Sequence, residues 1–442
     1  MRRILWFRRD LRVEDNPLLS QEGDVFPIFI FDPTILESLP SNDRRITFIF
    51  RTLLNLKSAL CARGLDLALF YGKPTDVFEW LLKNGSYQDV CASGDYDAYA
   101  LSRDREISHL LQFTYLRDTY IFTPDEVLKK DGTPYQVFTP FYNCAKSIFN
   151  ATHMAEFIPA SQRLINFDYT QIHHINENGH APLPLCLLSI GFEPQPLTAN
   201  QKIDPLSKLE FFASKLAFYA HDRDYMILDA TSALSADLRF GTISIRTLLR
   251  WLSKQKKLGI DTEPFFRQLI FRDFYAMLLY HFPHLATQNF RYRFEGIPNE
   301  EYFKAFCTAR TGIPIVDAGV RELLDTGKMH NRVRMICASF FTKNLLLPWQ
   351  WGEAFFAQHL MDYDAASNIL SWQWSAGTGV DPQPYFRIFN PYTQAHKFDK
   401  DKMYIKKYLP KNYNTLPIVD HQESSKKALV YFRSSVCDIK II

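Results

Sequence analysis

Residues 1–125 alternate short apolar runs with amphipathic stretches, and this alternation restricts the fold more than any other feature. Arg3–Phe7, Val25–Phe31, Leu65–Tyr71 and Asp89–Ala92 have the length and composition of buried strands. Arg44–Arg63, Pro74–Lys83 and Arg103–Leu111 read as helices. In the first of these, Ile46, Phe50, Leu53, Leu54, Leu56 and Leu60 form one broad apolar face. Strands that alternate with helices need crossover connections, so the expectation is a parallel sheet wrapped by helices. Pro27 is the one objection, because proline has no N–H to give a central strand. No G-x-G-x-x-G follows a strand, so a dinucleotide fingerprint is absent.

The character of the chain then changes. Over His153–Asn200 it is rich in Pro, His and Asn, with little periodicity, and reads as a connector lying on a surface. Beyond 200 the pattern is mostly helical. Lys208–Tyr219 opens this part, Glu263–Leu279 is amphipathic, and Thr311–Leu323 reads as a capped helix with an apolar face. The expected divisions are an α/β domain at 1–125, a connector at 126–200 and a helical domain at 201–442.

Charge is uneven along the chain. Residues 1–200 hold 19 Lys and Arg against 24 Asp and Glu, while residues 201–442 hold 32 against 24. The basic half is where a polyanion would bind. Seven cysteines form no C-x-x-C pair, which reads as reduced thiols and gives no zinc or iron–sulfur spacing. The N-terminus MRRILWFRRDLR is too charged for a signal peptide, and no run of about 18 apolar residues exists to span a membrane. The expectation is a cytoplasmic protein without a metal.

Three stretches carry chemistry. One holds His330, Asn331, Arg332 and Arg334; another holds Asp362, Asp364 and Asn368, followed by Trp372 and Trp374. Cations on one helix and carboxylates on another can meet across a buried pocket and hold a large polar ligand. The tryptophans add π surface for stacking a base or passing an electron. Taken singly, such charges are more often solvated faces. In the third stretch, Ala230–Ser244, Thr231, Ser232 and Ser235 place hydroxyls and backbone N–H groups at a helix start, a phosphate cradle. Plain N-capping by Thr231 or Ser232 is the simpler reading of the same residues.

MHNRVRM, DYDAASN and WQW, in this order, resemble the photolyase/cryptochrome family, closest to the class I photolyases that repair cyclobutane pyrimidine dimers. WFRRDLRVEDNPLL (Trp6–Leu19), FTPFYNCAKSI (Phe138–Ile148), TGIPIVDAGVREL (Thr311–Leu323) and PYFRIFNPYTQAHKFD (Pro384–Asp399) extend the resemblance over nearly the whole chain. It is weakest over 85–200. The resemblance implies an α/β N-terminal Rossmann-like domain and an all-α C-terminal domain that binds FAD. It implies a monomer acting on UV-damaged DNA, in which reduced FAD absorbs blue light and passes an electron to a flipped lesion. Photolyases are themselves a standard example of enzymes that extrude the target base.

Residue by residue, the resemblance assigns FAD contacts to Tyr219, Thr231, Ser232, Ala233, Leu234, Ser235, Phe265, Arg272, Arg334, Asp362, Asp364 and Asn368. Arg334 and Asp362 match an ion pair beside the flavin ring, and Asn368 the residue facing flavin N5. Gln268, Asn331, Met335, Asn368 and Trp374 match catalytic positions, with Trp374 stacking on the lesion. Arg223, Gln268, Phe271, Arg272, Tyr275, Asn331, Arg332, Arg387 and Gln394 match DNA-facing positions. Lys397, Lys400, Lys402, Lys406, Lys407 and Lys411 would extend a phosphate-binding surface. Trp372 and Trp349 match the first two members of an electron-transfer triad. The third member should lie near Gly296, where there is no tryptophan; either a tyrosine such as Tyr292 replaces it or the relay is broken.

Other departures set the alternatives. Dimer photolyases usually carry Glu at Gln268, Trp at Phe271 and Trp at Lys328. Gln can donate and accept hydrogen bonds but cannot supply a proton. It is the usual residue in (6-4) photolyases and animal-type cryptochromes. Asn331 and Met335, in place of a His pair, follow the dimer-repair pattern. Gln268 and the incomplete triad lean toward a cryptochrome-type blue-light photosensor, and Gln268 alone toward a (6-4) photolyase; a photosensor is expected to carry a signalling extension after the family core, and none is read here. DYDAYALSRD lacks the Asn-Glu pair of folate-binding relatives. A second, antenna chromophore therefore stays unidentified: a deazaflavin, a flavin or none.

Overall fold

The computed structural model describes residues 2–437. The chain forms two compact units, each built from separated segments. One joins the chain up to Glu126 with Ser147–Phe211 and Ser232–Ile260; the other joins Val127–Lys146, Phe212–Thr231 and the chain from Asp261 onward.

The first unit contains an eight-stranded sheet. Its strands are β1 (Arg2–Phe7), β2 (Gly23–Phe31), β3 (Ala68–Tyr71), β4 (Asp89–Ser93), β5 (Gln112–Leu116), β6 (Gln162–Leu164), β7 (Ile172–Asn176) and β8 (Gly179–Leu183). The order is β5-β4-β1-β2-β3-β7-β8, with β6 pairing beside β2, and only the β7–β8 pair is antiparallel. Ile4, Trp6, Phe26, Ile28, Phe70, Val90 and Ala92 lie buried on its strands, as parallel strands covered on both faces require. The helices Arg44–Cys61 and Pro74–Asn84 follow the expected segments; the third, expected at Arg103–Leu111, instead runs Ala98–Ser108, because Asp97 caps it by accepting from Ala100 N.

Pro27 is accommodated by register. Val25 O accepts from Ile165 N and Phe31 O from Gly72 N, so alternate residues of β2 turn their polar groups toward β6 and β3. β6 pairs with Gly23–Val25, and the pairing with β3 begins at Ile28, opposite Ala68. Pro27 falls in the gap between them, where no donor is needed.

The stretch expected as a connector differs from that reading. It supplies β6, β7 and β8 to the sheet, while Val127–Lys146 belongs to the helical unit. Two histidines in β7 and a three-residue β6 hide the strand pattern. Residues Ser232–Ile260, expected with the helical domain, belong to the sheet unit. Buried ion pairs hold them there: Arg246 reaches Asp15 at 3.0 Å and Asp118 at 2.7 Å, and Arg250 reaches Asp15 at 2.9 Å. Arg12 pairs with the same Asp118. The charges of RRDLRVED other than exposed Glu14 thus act as a largely buried network, and burial with the neighbouring Asp118 pushes Asp10 up to about 6.

The second unit is helical. Its core gathers Phe306, Phe340, Phe341, Trp349, Phe356 and Trp372. Asn331–Ser339 runs into a buried π-helical turn, Phe340–Asn344. Helix Pro314–Thr326 has no side-chain cap at its N-cap residue, Ile313. Instead Asp317 reaches back and accepts from Thr311 N, Thr311 Oγ1 and Gly312 N. Among the described residues no helix is long and apolar enough to cross a membrane.

Candidate functional site

Two helices of the second unit carry most of the expected polar groups. Helix Asn331–Ser339 is capped by His330, whose Nδ1 accepts from Arg332 N at 3.2 Å. Burial pushes His330 down to about 4, so the ring is neutral at pH 7. One turn into the helix, Arg334 donates from Nη2 to both oxygens of Asp362 at 3.0 Å and from Nε to Met329 O at 2.8 Å. Helix Ala365–Ala376 is capped by Asp364, which accepts from Ser367 N at 3.1 Å.

Asn368, buried one turn later, donates from Nδ2 to Glu353 O at 3.1 Å and Glu353 Oε1 at 2.9 Å. Burial raises the Glu353 carboxyl, which holds the Asn368 amide in one orientation. Asn368 Oδ1 is left as the free end. The cluster therefore offers a guanidinium, two carboxylates and an amide oxygen, a donor and acceptor set that suits a polar ring system such as a flavin. Tyr219 and Phe265 are buried edge to face, 5.2 Å apart, with Arg223 over the Tyr219 ring at 5.5 Å.

The segment expected as a phosphate cradle starts with exposed Thr231 in the second unit and continues from Ser232 in the first. Neither Thr231 nor Ser232 caps a helix: the N-cap of Ser235–Phe240 is Leu234, without a side-chain bond. Ser232 Oγ accepts from Leu234 N at 3.4 Å, bridging Ala233. Ala233 takes a left-handed conformation, φ 54°, which turns the backbone sharply before the helix.

Helix Glu263–His281 places Gln268, Phe271, Arg272 and Tyr275 on one half-exposed face, three or four residues apart. Gln268 makes no side-chain hydrogen bond among the described residues. Phe271 stacks on Phe138 with centroids 3.4 Å apart and planes 15° apart. Phe138 N is held by Asp381 at 2.9 Å. Tyr275 is hydrogen-bonded to Ser371, and burial raises its phenol to about 12.

Trp374 is half-exposed and has no ring partner among the described residues. Trp372, two residues earlier, is fully packed, edge-on to Phe341 at 5.4 Å and Phe356 at 4.9 Å. Exposed Asn331 lies 3.9 Å from the sulfur of Met335. Arg332, expected to face DNA, is turned inward to Asp224 at 2.8 Å and lies over Phe398 at 4.6 Å, so its charge is already balanced. Arg387 is exposed; Gln394 is half-buried, with an unpartnered Oε1.

Trp349 is buried and donates from Nε1 to Asn289 at 2.8 Å. Near where the third tryptophan is expected, Gly296 has φ 78°, and a Cβ there would lie 2.5 Å from Pro348 N. No side chain fits. Tyr292 stacks on Phe294, whereas Tyr431 accepts from Gly296 N and lines one small cavity with Gly296 and Trp349.

Sequence reasoning missed Glu353, Asp224 and Phe138 as partners of site residues. Glu353 and Asp224 stand in no spacing that carries a signal; Phe138 opens the FTPFYNCAKSI motif, but only helix packing shows it stacked on Phe271.

Comparison with known proteins identifies the family. Residues 3–160 match the model of the DNA photolyase family, and residues 265–430 match the FAD binding domain of DNA photolyase. A deoxyribodipyrimidine photo-lyase of Synechococcus sp. is 35% identical over 428 residues, spanning 92% of this chain and 87% of that protein. A bacterial class III photolyase from Agrobacterium tumefaciens superposes with a TM-score of 0.85 at 29% identity, covering 98% of each chain. An archaeal photolyase from Sulfolobus tokodaii, solved with two FAD molecules, superposes with a TM-score of 0.79 at 29% identity, covering 99% of this chain and all of that one. With relatives this similar over nearly its full length, the chain belongs to the DNA photolyase family and carries that family's FAD-binding domain.

Proposed function

We propose that this protein uses light to split cyclobutane pyrimidine dimers in DNA. The observation that carries the reading is Trp374: a half-exposed indole, free of ring partners, on the helix that also carries Asn368. Reduced FAD, when bound, supplies the photoexcited electron donor. Arg334, Asp362, Asp364 and Asn368 would hold its ring, with Tyr219, Phe265 and Arg272 beside them. Asn368 would present Oδ1 as an acceptor, because Nδ2 is committed to Glu353.

On the substrate side, Trp374 would stack on the extruded lesion. Gln268 would orient the pyrimidine amides by donating and accepting, without moving a proton. Phe271, backed by Phe138, would form an aromatic wall beside it. Asn331 and Met335 favour a dimer over a (6-4) lesion. Arg223, Tyr275, Arg387 and Gln394 would contact the strand. Trp372 and Trp349 would relay electrons. Gln268 also favours one rival, a (6-4) photolyase. A flavin stands among the antenna candidates, given the second FAD in the Sulfolobus tokodaii protein.

The test is Trp374→Ala. Stacking on an aromatic face is worth about 1–3 kcal/mol per base. Affinity for dimer-containing DNA should fall roughly 5- to 150-fold while FAD absorbance is retained. Unchanged affinity would remove Trp374 from the pocket.

A further inference from the structure

Arg267 has no role in the site described so far. It stands on helix Glu263–His281 beside Gln268 and one turn before Phe271. Its guanidinium carbon lies 4.7 Å from the centroid of Phe138 and 4.7 Å from that of Tyr142. Phe138 is itself stacked on Phe271. The cation is thus held against a built aromatic platform that continues into the face carrying Gln268.

No carboxylate among the described residues forms an ion pair with Arg267. Glu263, one turn earlier, is engaged elsewhere: its Oε1 accepts from Tyr142 Oη and from Lys146 Nζ, the latter at 2.6 Å. Asp261 accepts from Glu263 N at 3.0 Å, and Asp381 from Phe138 N at 2.9 Å. None of these carboxylates pairs with Arg267. The side chain is half-exposed, and none of its N–H groups is both buried and unpartnered. An arginine with its face stacked and its edge in water is preorganised to grip a phosphate through two parallel hydrogen bonds.

We infer that Arg267 binds a backbone phosphate of the DNA strand that carries the lesion. The inference rests on the proposal that damaged DNA is the substrate. Held one turn from Phe271, the phosphate clamp fixes the strand beside the pocket that reads the base. It acts on any sequence, because phosphate contacts position the strand and carry no base information.

The experiment measures binding of the FAD-loaded protein to one duplex with and without a cyclobutane dimer, across a salt series. Wild type is compared with Arg267→Gln and Arg267→Lys, and FAD content and thermal stability are recorded for each. Neutralising one phosphate contact changes the slope of log K against log salt by about 0.9. Arg267→Gln should flatten the slope by about that amount and weaken both duplexes alike, with FAD content unchanged. Arg267→Lys should keep the slope. A wild-type slope in Arg267→Gln would overturn the inference, and so would loss of FAD with the slope intact, which would assign the phosphate to the cofactor. Absence of any salt-dependent DNA binding by wild type would instead sink the DNA reading, and this inference with it.

Discussion

Gly352→Ala tests how tightly Trp372 is held. A Cβ on Gly352 would lie 2.3 Å from Cη2, 2.4 Å from Cζ3 and 2.9 Å from Cζ2 of that indole. The ring cannot retreat easily: Phe341 and Phe356 flank it edge-on, and Phe341 abuts Phe306 at 4.9 Å. Alanine is a better helix former than glycine by about 1 kcal/mol, so propensity alone would stabilise the variant. Overpacking a tight core costs about 1–3 kcal/mol, and a shift of more than 1 Å belongs at the upper end of that range. The net expectation is a loss of about 1–2 kcal/mol. For a unit of this size that lowers the melting temperature by about 2–8 °C, read by circular dichroism on FAD-loaded protein. Trp372→Phe removes the clashing atoms, so alanine at 352 should cost little in that background. A variant as stable as wild type, or one equally costly in both backgrounds, would refute the packing argument.

Lys343 is fully buried, donates to Ala376 O at 2.6 Å and lies 4.0 Å from the Phe432 centroid. Burial pulls it down to about 7, from an ordinary 10.5 in the unfolded chain. Between those values the unfolded chain binds the extra proton, so stability rises as pH goes from 7 toward 10. Lys343→Met should reduce the gain in melting temperature between pH 7 and 9 relative to wild type; equal gains would contradict this. Arg334→Leu removes the ion pair to Asp362 and should lower both FAD occupancy and stability. Arg334→Leu with Asp362→Leu should recover melting temperature but not FAD. Recovery of FAD would make the pair purely structural.

What was legible in the sequence follows the strength of each physical signal. β1 and β2 are apolar along most of their length because helices cover both faces, and the pattern shows. β7 contains His173 and His174 and is invisible to the same test; His173 is satisfied by His180 and by Asp168 O. Pro27 weakened the strand assignment only because register is not written locally. The domain borders could not be read, since buried ion pairs between residues some 230 positions apart tie Arg246 to Asp15. At the site, motif residues such as Arg334, Asp362 and Asn368 were found by spacing. Glu353, which fixes the Asn368 amide, was not, because it belongs to no motif. The sequence places the third tryptophan only near Gly296; at Gly296 itself the structure shows that Pro348 leaves no room for a side chain.

The most direct measurement of the central claim is the loss of cyclobutane dimers from a duplex, with (6-4) lesions in parallel. Reduced, FAD-loaded protein is compared in blue light and in the dark. Dimer loss in light alone is the expected result, and would show that Gln268 suffices where relatives use an acid. Loss of (6-4) lesions alone would contradict the reading of Asn331 and Met335. No loss of either lesion, with FAD bound, would contradict repair itself.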